Sequence, residues 1–148
     1  MFISTTELAP IKELYNRGLY LQAFDRALQL GPLAQWEGTD ARLLAGRLAI
    51  MLGAPKLARK LHLRAWRDDP QHAEAIYYYT RAVWDWRGPW RAWLFARQFD
   101  ELPNADALMQ ADWFGLKAAL FGLLRDFDTA DELIARAESL CVDNPWVW

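Results

Sequence analysis

The sequence predicts an all-α solenoid of about four helix-turn-helix repeats, and three observations carry that prediction. Four alanines, Ala23, Ala58, Ala92 and Ala130, recur at intervals of 35, 34 and 38 residues. A turn signal stands a few residues before each: Gly18-Leu19-Tyr20, Gly53-Ala54-Pro55, Arg87-Gly88-Pro89 and Arg125-Asp126-Phe127. A proline follows each: Pro32, Pro70, Pro103 and Pro145. Periods of roughly 20–50 residues mark repeat architectures, in which each unit buries its apolar face only against its neighbours.

The first unit, about residues 4–35, is the least regular. Ser4 with Glu7 forms a capping box. Pro10 falls inside the expected helix, where it removes a backbone donor. Gly18 makes the turn, and the second helix ends early at Gly31-Pro32. A degenerate first unit suits a cap, because the outer end of a stack faces water. Residues 31–38 form the longest non-helical connection.

The second unit, 39–70, is the clearest. Thr39 caps a helix over 40–52, whose Leu43, Leu44, Leu48 and Met51 follow helical spacing. Gly53-Ala54-Pro55 breaks it, with proline at the first position of a helix over 55–67. Ala58, Leu61 and Ala65 share a face there, and Asp68-Asp69-Pro70 ends it.

In the third unit, 72–104, a helix over 72–86 carries Ile76, Tyr79 and Val83 along one stripe. Arg87-Gly88-Pro89 turns the chain into a helix over 89–102, with Ala92, Phe95, Ala96 and Phe99 inward. The fourth unit, 106–142, pairs a helix over 106–124 with one over 129–141, with Asp128 as N-cap and Ala130, Leu133, Ile134 and Ala137 inside. Residues 143–148 read as the start of a further repeat or a C-terminal stub. The recurrent alanines have a physical cause: antiparallel helices approach closely only where side chains are short.

Composition narrows the function. The 148 residues are 53% hydrophobic and 24% charged, a globular balance, and all of 1–148 is expected to form one domain. The net charge of −2 disfavours a general nucleic-acid binder. Cys141 is the only cysteine, so no internal disulfide forms. Met1-Phe2-Ile3 lacks the pattern of a signal peptide, and no apolar run suffices to cross a membrane. A cytoplasmic location is expected.

The repeat resembles the tetratricopeptide repeat family. The match rests on Gly46, Gly53, Ala58, Ala65 and Pro70 in the second unit. In the fourth it rests on Ala118, Ala130, Ala137, Leu140 and Asp143-Asn144-Pro145. Arg125-Asp126-Phe127-Asp128-Thr129-Ala130 reads like the family's Gly-Asp-Tyr-x-x-Ala turn. The repeats are divergent: most first helices lack the early tryptophan and the Leu-Gly pair, arginine replaces the turn glycine at 87 and 125, and the fourth unit is about four residues longer. Asn144-Pro145-Trp146-Val147-Trp148 resembles the opening of another repeat, which leaves two alternatives, a fragment of a longer protein or a docked stub.

Chemical constellations are scarce. His62 and His72 stand on different expected helices, without the clustering of a metal site, and are given structural roles. Ser4 reads as a cap, Ser139 as part of a polar helix end, and Cys141 as a small apolar packer. No glycine-rich phosphate loop is present. No catalytic residue, metal or cofactor is assigned, and the chain is read as not an enzyme. The run from Arg81 through Trp84, Trp86, Arg87, Trp90, Arg91 and Trp93 mixes cations and indoles. The plainest reading packs the tryptophans between units under the arginines; a protein or peptide site is one alternative, and base stacking or a membrane surface is another that the overall acidity disfavours.

The family resemblance implies a right-handed α-α superhelix with a concave groove lined by the first helix of each unit. By register the lining includes Lys12, Tyr15, Leu43, Arg47, Tyr77, Arg81, Trp84 and Asp112. Lys12, Tyr15, Arg47, Tyr77, Arg81 and Trp84 are the partner-binding candidates, since arginine and aromatics serve as interface anchors. The expected ligand is an acidic and apolar protein segment, with neither nucleic acid nor membrane as partner. The family's carboxylate clamp for chaperone C-termini is not matched, because Leu43 and Arg47 occupy its positions. Three functions follow as alternatives: a protein-interaction scaffold, a regulatory or substrate-presenting domain of a larger enzyme, and a module self-associating through the tryptophan-rich C-terminal end.

Overall fold

Local signals set the helix order, and a computed structural model, which describes residues 1–141, shows where each signal acts. Eight α-helices are present among the described residues. In the first unit α1 (Thr5–Asn16) starts at the Ser4/Glu7 capping box and runs unbroken through Pro10. The Ser4 backbone and side-chain hydrogen bonds hold the Glu7 carboxyl below its usual range. Helix α2 (Tyr20–Leu28) follows Gly18, whose φ of 76° admits the turn. Helix α3 (Thr39–Met51) begins at Gly38, so Thr39 is the first helical residue and not the cap. Helix α4 (Pro55–Asp68) has proline in its first turn as expected.

In the second half α5 (Ala73–Arg87) is capped by His72, whose Nδ1 accepts from the Ala75 N–H at 3.3 Å. Helix α6 (Pro89–Ala96) is six residues shorter than the periodicity suggests. Helix α7 (Ala107–Leu123) is capped by Asp106. Helix α8 (Phe127–Leu140) is capped by Asp126, which takes the role expected of Asp128. Asp126 accepts from both the backbone and the hydroxyl of Thr129, a reach that Asp128 inside the first turn lacks. Residues 143–148, with Trp146 and Trp148, lie outside the described residues.

The helices gather into two compact units, one spanning Met1–Pro70 and the other beginning at Gln71. The core of the first joins Ile11, Ala23, Ala27, Ala45, Leu48 and Leu61 from four helices. Its connection between α2 and α3 is not loose. Leu33–Gln35 makes a 3₁₀ turn, and Trp36 plugs the core at 1% exposure. The Trp36 indole N–H donates to the Gly31 carbonyl, and its own carbonyl accepts from Arg42. The N-terminal ammonium closes the same connection, donating to the Gln35 carbonyl at 3.0 Å and pairing with Glu37 at 2.9 Å. That pairing holds the Glu37 carboxyl below its usual range.

Between α3 and α4 a glycine is required for space. A Cβ on Gly46 would stand 2.3 Å from Nε2 of His62. His62 is 2% exposed, so its imidazole fills the volume a side chain at 46 would occupy. The family-like small residue thus exists for the histidine across from it.

The core of the second unit is larger-grained: Ile76, Ala92, Trp113, Phe114, Leu120 and Leu133 are buried. Side chains of α7 hold the segment that follows α6. The Phe99 carbonyl accepts from the Trp113 indole at 3.3 Å and from the Lys117 ammonium at 3.0 Å. Gln110 satisfies both backbone groups of Leu102. Arg136 of α8 pairs with Asp100 and Glu101 and lies 4.1 Å over the Phe114 ring. The residue one turn after Phe99 is Pro103, which has no N–H to give, so the Phe99 carbonyl takes its donors from α7.

Candidate functional site

The sequence-predicted residues divide between the units. In the first, Arg47 of α3 is half-buried, and its guanidinium lies 4.5 Å over the Tyr15 ring of α1. Tyr15 in turn meets Tyr20 with ring centroids 5.3 Å apart. Tyr15 and Arg47 therefore come together on the first helices. Lys12 is exposed one turn earlier on α1. Leu43 is only 1% exposed and belongs to the core, which corrects its placement in the lining: position 43 faces inward on a helix buried on most sides.

In the second unit Arg81 and Trp84 of α5 are half-buried. Arg81 lies 5.9 Å over the Tyr77 ring one turn back. Tyr77 itself is 9% exposed, so it backs Arg81 more than it offers a surface of its own. Asp112 is half-buried on α7. Each unit thus presents an arginine lying over a tyrosine from its first helices, an arrangement that orients a guanidinium plane.

The tryptophan-rich run departs from the packed reading. Trp86 and Trp90 are each 53% exposed. Arg87 lies 4.3 Å over Trp86, and Trp90 stacks on Trp93 at 5.1 Å and 20°. Arginines do cover indoles here, but two of the indoles face solvent.

Sequence reasoning missed a cleft between α6 and α7. It has a volume of about 150 Å³ and is lined by Trp93, Ala96, Arg97, Lys117, Leu120 and Phe121. Arg97 lies 4.8 Å over the Trp93 ring. Lys117 is 8% exposed, and burial pushes its ammonium below the usual lysine range, an effect Asp100 partly opposes. The Arg136 hydrogen bond holds the Asp100 carboxyl below its usual range. The only sequence signal was a lysine amid Phe114, Leu116, Ala118 and Leu120, an interruption of an apolar helix. Among the described residues no group of three or more potential ligands is placed to hold a metal.

Stacked helix pairs with alanines at their contacts define the class: this is an all-α helical repeat fold of the tetratricopeptide type. Two solved structures share it. One is YrrB, described as a TPR protein with an unusual peptide-binding site, at TM-score 0.63 and 19% identity over 95% of this chain and 70% of that one. The other is PilF of Pseudomonas aeruginosa, at TM-score 0.70 and 18% identity over 96% of this chain and 63% of that one. No family model and no curated protein sequence matches the chain.

Proposed function

We propose that the chain is a protein-interaction scaffold without catalysis of its own, binding an acidic and apolar protein segment on the first-helix faces of its units. The observation that carries this reading is the recurrence of an arginine stacked on a tyrosine, Arg47 on Tyr15 and Arg81 on Tyr77. Stacking fixes the guanidinium plane, so less side-chain entropy is lost when a carboxylate arrives. Lys12 adds positive charge beside the first pair, and Trp84 adds an apolar anchor beside the second. YrrB, of the same fold, is described as having a peptide-binding site, which supports a protein ligand here. Among the described residues no helix is long and apolar enough to cross a membrane.

The test is affinity capture with mass spectrometry, comparing the wild type with Arg81→Glu/Trp84→Ala and with Lys12→Glu. Circular dichroism checks that helicity is kept. A partner caught by the wild type and lost with Arg81→Glu/Trp84→Ala is expected. Identical catches from folded variants would overturn this surface.

A further inference from the structure

The cleft between α6 and α7 holds an unbalanced set of donors. Lys117 is 8% exposed, yet its ammonium has one hydrogen-bond acceptor among the described residues, the Phe99 carbonyl. Its other described contact is the Trp113 ring, 5.9 Å away, and a buried ammonium with one carbonyl and one ring for partners is poorly compensated. The nearby acid, Asp100, is 76% exposed and committed to Arg136. The Trp93 indole N–H is buried and has no acceptor among the described residues. Buried donors of this kind are ordinarily satisfied. Arg97 is exposed, and its only described contact is the face of Trp93. The three residues that carry these donors, two of them cationic, therefore line one cleft whose lining includes no acid.

The rest of the lining is apolar: Ala96, Leu120 and Phe121. An apolar cavity of about this volume accepts a group the size of benzene, near that of a glutamate side chain. Such walls disfavour a fully hydrated dianion and suit a short apolar stem ending in a single planar charge. Outside, the exposed Trp90 indole continues the Trp93 wall. It gives the residue next to the acid an apolar surface, which a free small anion would leave unused.

We propose that this cleft takes the carboxylate side chain of an acidic residue, glutamate by size, in a bound protein segment whose neighbouring apolar residue lies on Trp90. The inference rests on the protein-interaction reading above and names one specificity pocket for it. The carboxylate accepts from Trp93 Nε1, offsets the Lys117 ammonium, and is met from the solvent side by Arg97.

The test follows the Trp93 indole N–H by ¹H–¹⁵N NMR, assigned with Trp93→Phe. The probe is acetyl-Leu-Glu-Leu-amide; its Gln counterpart, acetate and inorganic phosphate are the controls. A saturable shift with the Glu peptide alone is expected. The affinity falls about tenfold or more in Arg97→Gln, as loss of a charge-assisted hydrogen bond requires, and binding is lost in Lys117→Met. Arg97 is exposed, so that variant keeps the fold. No shift, or an equal shift with the Gln peptide, overturns the carboxylate. Phosphate or acetate binding as well as the Glu peptide overturns the side-chain source. The two readings fail separately. A silent titration beside partner capture that still needs Arg81 and Trp84 removes the cleft alone. A Glu-specific shift beside capture indifferent to Arg81 and Trp84 removes that face alone and keeps the cleft.

Discussion

The two units close equivalent gaps by opposite means. In the first, the connection between α2 and α3 is sealed by an apolar plug, Trp36, with its one polar atom satisfied at Gly31. In the second, the connection between α6 and α7 is held by polar side chains of α7, one of them the buried Lys117. The first solution places stability in the seal. The second leaves a charge short of partners inside a cleft, which costs stability and leaves something for a ligand to satisfy. The difference teaches that one helix-pair plan carries an apolar seam and a polar seam, separated by the chemistry of the connecting segment.

The comparison breaks most readily at the plug. Trp36→Ala is expected to lower stability by about 3–5 kcal/mol, the cost of emptying a buried aromatic site. Denaturant unfolding measures the loss, and amide exchange in α1–α4 locates it. A loss under 1 kcal/mol, on the same scale, would mean that the first unit is not sealed by Trp36.

The next effect lies between α3 and α4. Gly46→Ala drives a methyl into the His62 ring and is expected to cost about 1–3 kcal/mol, despite the better helix propensity of alanine. Adding His62→Ala should recover part of that loss. A double-mutant cycle reads the coupling, and strict additivity would show that the two residues do not share one volume.

A smaller effect of opposite sign separates two turns. After α3 the turn uses Gly53 at φ 75°, whereas after α7 it uses Arg125 at φ 69°. Arginine in the left-handed region carries a cost of about 1 kcal/mol that glycine avoids. Arg125→Gly should therefore raise the unfolding midpoint modestly. A fall would mean that the Arg125 side chain contributes more than its backbone costs.

The smallest effect is the sharpest. Lys117→Met should leave stability within about 1 kcal/mol of the wild type or raise it, since a buried charge gives way to an apolar side chain. The pH dependence carries the sign. The folded-state pKa of Lys117 is lowered, so the unfolded chain binds more protons between that value and the ordinary 10.5. Wild-type stability attributable to Lys117 then rises with pH across that interval, and Lys117→Met removes the rise. A pH profile identical in both proteins would show that the ammonium is not under strain.

Legibility followed range. The helices, the capping box at Ser4 and Glu7 and the glycine-proline turns were readable because each depends on residues within about one helical turn. Repeat register placed Tyr15 and Arg47 on the first helices, but the stacking of one on the other is a contact between helices that no local pattern carries. Trp36 was hidden in an apparent loop because its partners come from several helices. The end of α6 was misread because Ala92, Phe95, Ala96 and Phe99 keep helical spacing while Trp113 and Lys117, well along α7, take the Phe99 carbonyl. The cleft was missed for the same reason: Arg97 and Lys117 are 20 residues apart and neither belongs to a motif.

The near-parallel pair of Trp90 and Trp93, 5.1 Å between centroids, has an optical consequence. Indoles so close and so aligned couple their ultraviolet transitions, adding a signed couplet to the dichroism of the helices. Helix content read from a single wavelength inside that band would be displaced by the couplet. The couplet itself would change when a guest settles against Trp93, so the protein carries a chromophore pair that reports on its own cleft without a dye.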